Sequence, residues 1–125
     1  MFFRSLFWER TVLTLLEQVQ DLPRNVQVEI ANRTGDFLQV AKTATDEASL
    51  AQFAVAAAEE RKQAIAQGIT SKVDHRWAAP ALAEAWCVAK IGLYNRSLDK
   101  HSAREVMTAI DTFTATAAER PRAAS

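Results

Sequence analysis

Almost every stretch of this chain repeats its apolar residues at steps of three and four. Trp8, Val12, Leu15, Val19 and Leu22 form one such stripe, and Val106, Ile110, Phe113 and Ala117 form another. That period places the side chains along one face of a helix. One segment departs from it: Val26-Gln27-Val28-Glu29-Ile30 alternates like a strand. A lone strand has no partner elsewhere in the sequence, so the stretch is assigned to a helix with a possible kink at Gly35, where glycine weakens a helix by about 1 kcal/mol relative to alanine. The chain has only 3 glycines and 3 prolines among 125 residues, too few for a loop-rich or all-β protein. The expected fold is therefore all-α, an antiparallel bundle of four to five helices.

Local signals set the expected boundaries. The first helix covers about 6–22, with Ser5 as cap, and Pro23 ends it. The second covers 24–43. The third covers 46–67, with Thr45 as cap and Gly68 as the terminating glycine. The connection 69–79 holds a short turn, with Ser71 and Asp74 spaced as a capping box. The fourth helix starts near Pro80, a residue suited to the first helical position, and runs to about 98. It is apolar almost all round, which predicts that helix 4 (about 80–98) is the most buried. The fifth covers 103–119, with Ser102 and Glu105 as a second capping box. Residues 1–119 read as one domain, which a chain of this length can fold without staples, and 120–125 as a mobile tail.

Charge and cysteine content narrow the function classes. Fifteen Lys and Arg balance fifteen Asp and Glu, so the electrostatic footprint of a nucleic-acid binder is absent. The single cysteine, Cys87, permits no internal disulfide and suits a reducing, cytoplasmic setting. Arg4, Glu9 and Arg10 interrupt the apolar start, which argues against a signal peptide, and no apolar run is long enough to span a bilayer.

Catalytic signatures are missing. There is no Gly-x-Gly-x-x-Gly, no phosphate-binding loop and no Gly-x-Ser-x-Gly elbow. His75 and His101 lie far apart, so no metal site and no cofactor are expected. Cys87 sits mid-helix among apolar residues and reads as a packing cysteine whose accessibility depends on tertiary structure. Glu59 and Glu60 read as a solvated lattice with Arg61 and Lys62. The residues point away from an enzyme.

Three functional readings follow. The first is a non-enzymatic interaction module (adaptor, regulator or inhibitor) that buries an apolar helix face against a protein partner or a second copy. Phe2, Phe3, Phe7 and Trp8 are its interface, because they outnumber what one helix face buries internally. The second is a binder of small anionic ligands, or a weak enzyme, with a pocket between helices 3 and 4 lined by His75, Arg76, Trp77, Lys90 and Tyr94. The third is a peripheral membrane protein using residues 1–16; it is disfavoured because Glu9 and Glu17 offset Arg4 and Arg10. Arg33 interrupts the apolar stripe of the second helix. It is expected to snorkel to the surface or to meet a carboxylate, a ligand's included.

Overall fold

The helical periodicity is realised as five α-helices, α1 (Phe2–Gln20), α2 (Arg24–Ala41), α3 (Glu47–Ala66), α4 (His75–Asn95) and α5 (Lys100–Ala124). The computed structural model describes residues 2–124, with side chains over 8–117. The stretch that alternates like a strand lies inside α2, which runs without a break through Gly35. Among the described residues there is no strand. No described helix is long and apolar enough to cross a membrane.

Burial follows the predicted face on α5, and in part on α1 and α2, where Leu15 is half-buried and Val40 is exposed. Val12, Leu16 and Val19 of α1 are buried, as are Ile30, Thr34 and Leu38 of α2 and Val106, Ile110 and Phe113 of α5. Thr34 keeps its hydroxyl satisfied inside the core by donating to the Ile30 carbonyl at 2.7 Å. α4 holds the centre: Ala79, Leu82, Ala83, Trp86 and Ala89 are all buried, and the helix packs against each of the other four.

The caps explain where several boundaries differ from the sequence reading. Ser5 lies within α1, which begins at Phe2. α3 is capped by Asp46 rather than Thr45: its carboxylate accepts the Ser49 amide at 2.7 Å, which holds its pKa below the ordinary value. At the other end Gly68 adopts φ +89°, and the Ile69 amide bonds back to the Ala64 carbonyl at 3.0 Å. This is the Schellman closure that the glycine predicts.

α4 starts a turn and a half earlier than expected. Asp74 caps it by accepting the Arg76 amide at 2.9 Å, and Pro80 is carried inside the helix. α5 also starts early, because Asp99 accepts the Ser102 amide at 3.0 Å and takes the capping role. Ser102 is buried in the first turn, and Glu105 faces Glu9 of α1 instead of reaching back. α5 is traced through Ala124, beyond the expected end at 119, so the expected mobile tail falls largely on residues whose side chains are outside those described.

Sequence neighbours do not all pack as antiparallel pairs. α3 lies almost wholly on α4, α2 leans on α4 and α5, and α1 leans on α5. The Ala-rich faces of α3 and α4 bury Ala57, Ala64, Ala79 and Ala83. Both flanks of α3 are consequently open: one gap faces α1 and the other faces α2.

Candidate functional site

The gap between α1 and α3 is a groove of about 510 Å³, floored by Ala81, Ala85 and Val88 of α4. That is within the usual range of ligand sites. Val12 and Leu15 form its α1 wall, and Trp8 and Trp77 line it as well. α1 and α4 run antiparallel, since α1 leads through Pro23 into α2, whose Glu29 meets His75 at the start of α4 with a 3.4 Å contact. Trp8 and Trp77 therefore stand at opposite ends of the groove. Its α1 wall runs from Trp8 to Gln18, about 15 Å at helical rise.

Three cations rim this groove: Arg10, Arg61 and Lys72, against one carboxylate, Glu84. Arg61 donates to Glu84 through Nε and Nη2, both at 3.3 Å, in a partly buried pair. Its guanidinium also sits 5.7 Å from the Trp77 ring centroid, and the Lys72 ammonium lies 5.8 Å from the same ring. Such cation–π contacts hold the indole and the cations in one place. With Glu84 engaged by Arg61, Arg10 and Lys72 are surplus positive charge; neither forms an ion pair among the described residues.

The structure disperses the five residues of the expected ligand pocket. α4 is continuous from His75 to Asn95, so His75, Arg76 and Trp77 lie at one end while Lys90 lies about 20 Å and Tyr94 about 26 Å along the helix from Trp77. Trp77 lines the groove just described, and Arg76 lines a smaller pocket on the opposite flank of α3. Arg76 is held by Asp74 through two contacts of 3.0 Å. That hydrogen-bonded pairing is the main reason the Asp74 pKa falls to about 2. His75 is half-buried, with Nδ1 buried and unpartnered. Lys90 covers the face of buried Trp86 at 5.3 Å, and Tyr94 is half exposed.

Of the predicted interface, Trp8 is half-buried and lines the groove, whereas the side chains of Phe2, Phe3 and Phe7 lie outside the described residues. Arg61 leaves the lattice expected of it: Lys62 meets Glu59 at 3.7 Å in solvent, while Arg61 turns onto Glu84 and Trp77. No local spacing in the sequence signals the pairing of Arg61 with Lys72 over Trp77, because it is a tertiary contact. Cys87 is buried, and burial followed by the nearby Glu84 charge pushes its thiol up to about 11, which suppresses the thiolate. Among the described residues no group of three His, Cys, Asp or Glu could hold a metal ion.

The chain matches no protein-family model, no curated protein and no solved structure.

Proposed function

We propose that this protein is a non-catalytic interaction module whose α1–α3–α4 groove receives a helix of a protein partner, with apolar side chains on its buried face and acidic residues beside them. One observation carries the reading. Two tryptophans bracket an apolar groove about 15 Å long, and its rim holds three cations to one carboxylate. A helix of about ten residues has that length. Tryptophan and arginine are the residue types that most often anchor protein interfaces. Surplus Arg10 and Lys72 favour Asp and Glu on the partner's flanks through complementary charge.

A small-anion reading rests on a narrower observation, the Arg61–Trp77–Lys72 stack at one end of the groove. It makes no use of Trp8 or Arg10. Selection from a displayed library of helical peptides separates the two, with the Trp77→Ala protein as counter-target. The interaction reading expects enriched peptides with apolar residues at i, i+3, i+4 and i+7, flanked by Asp or Glu. Failure to enrich any peptide over the Trp77→Ala protein would reject it.

A further inference from the structure

The opposite flank of α3 has a different chemistry. Between α2 and α3, over α4, lies a cavity of about 480 Å³, within the usual size of small-molecule sites. Phe37 of α2 and Phe53 of α3 line it from the two helices that bound it, and Ala83 and Cys87 of α4 floor it. Alanines from all three helices leave the space between them unfilled.

The polar groups of the lining exclude an ionic occupant. Arg33 and Asp36 stand one turn apart on α2, both exposed, and their charges cancel. Neither sign of ligand charge is favoured by that pair. The rest of the lining carries one polar side-chain atom, the Cys87 sulfur, and burial pushes that thiol up to about 11, so it stays neutral. The walls are helical, so their amides and carbonyls are engaged within the helices. A charge or a hydroxyl placed deep in this space loses its water and gains no partner. The phenyl rings supply the positive selection. Phe37 and Phe53 are both half-buried, one on each bounding helix, so a flat ring between them meets an aromatic side chain on either side. Among the lining residues Val40, at 52% exposure, is the one large exposed hydrophobic, a small apolar rim that suits an enclosed small molecule better than a protein face.

We infer that the α2–α3 cavity is a binding site for a neutral aromatic small molecule, a fused ring held between Phe37 and Phe53 over Ala83 and Cys87, with any polar substituent turned out toward Arg33 and Asp36. This cavity shares no lining residue with the α1–α3–α4 groove, so the inference does not depend on the proposed protein partner.

Four probes of similar size are titrated into the full chain while methyl and indole resonances are followed by NMR: 2-naphthalenemethanol, its saturated decahydro analogue, 2-naphthoate and 2-naphthylmethylammonium. The inference expects 2-naphthalenemethanol to move the Val40, Ala56 and Ala83 methyls in a saturable way and to leave the Trp8 and Trp77 indoles in place. The saturated alcohol binds about threefold or more weakly, the loss expected when aromatic contacts are removed at equal apolar bulk. Neither ion binds more tightly than the neutral aromatic alcohol. Phe53→Leu and Phe37→Leu keep the lining apolar and reduce the preference for the aromatic over the saturated alcohol, while melting curves report that the fold is kept. If either variant fails to fold, the comparison of the four probes on the unaltered protein decides alone. Absence of saturable methyl shifts, an ion that binds more tightly than the alcohol, equal affinity for the saturated analogue, or shifts centred on Trp8 and Trp77 would each overturn the site. None of these results bears on peptide binding in the other groove, so the two ideas fail separately.

Discussion

The two flanks of α3 begin from the same wall and end with opposite chemistry. Toward α1, the groove is bracketed by Trp8 and Trp77 and rimmed by Arg10, Arg61 and Lys72. Toward α2, two cavities are lined by Phe37, Phe53 and small residues, with Arg33 and Arg76 set against Asp36 and Glu60. The difference follows from how α3 is held. α3 packs almost wholly on α4 through an Ala-rich seam, so neither flank is filled by a neighbouring helix, and each open side takes the character of the helix across from it. A helix packed mainly on one partner leaves an open surface along each flank.

If the groove depends on that seam, loosening α3 should erase it. Leu50 is fully buried in the first turn of α3. Leu50→Ala is expected to cost about 2–5 kcal/mol in urea unfolding and to weaken peptide binding. Peptide affinity unchanged at that cost would show that the groove is held independently of α3.

Gly92 gives the matching control, because it lies in the α4–α5 corner and lines neither surface. A Cβ there would meet the Leu98 side chain, 2.8 Å from its Cβ. Gly92→Ala should therefore destabilise by about 1–3 kcal/mol through overpacking while peptide affinity, measured well below the melting temperature, stays unchanged.

Asp74 caps the helix that floors both surfaces. Its folded pKa, about 2, lies below its ordinary 3.8, so its contribution is complete above the unfolded value and is lost as pH falls through that interval. Thermal melts between pH 5 and pH 2 should show this loss, and Asp74→Asn, which can still cap, should flatten it. Asp74→Ala removes the cap as well and should cost about 1 kcal/mol at neutral pH. An unchanged pH slope in Asp74→Asn would remove the ion pair from the account.

The smallest effect concerns the α2 wall. Nothing lies within 4 Å of a Cβ built on Gly35, and its conformation is helical. Gly35→Ala should stabilise by about 0.5–1 kcal/mol and leave the α1 groove untouched. Destabilisation in thermal unfolding would mean that α2 needs a flexible point there.

Much of the fold was legible in the sequence because it is encoded locally. Val12 and Val19 of the first helical stripe face the core, Gly68 closes α3, and the apolar helix around Leu82 and Trp86 is central. The start of α4 was less readable: Pro80 is a good first residue, but Asp74 supplies a real hydrogen bond six residues earlier. The same competition decided α5, where Asp99 displaced Ser102. The candidate site was legible only in pieces. Trp8 and Trp77 each stood out, but as members of different surfaces. Arg61 and Lys72 acquire meaning only when α3 and the following loop bring them over one indole. Periodicity reports which face a residue occupies, and carries nothing about which distant residue shares the space in front of it.

The three tryptophans supply the most direct test of the proposed function. Trp8 and Trp77 mark the two ends of the α1–α3–α4 groove, and buried Trp86, between Lys42 and Lys90, is an internal reference outside it. The measurement is a titration of an acidic amphipathic helical peptide into the protein, read at the three indole N–H resonances. The account predicts that Trp8 and Trp77 shift together, that Trp86 stays, and that Arg10→Glu with Lys72→Glu abolishes the response. A shift confined to Trp77 would point to a small-anion site, and no shift at either groove tryptophan would contradict the groove as a helix-binding surface.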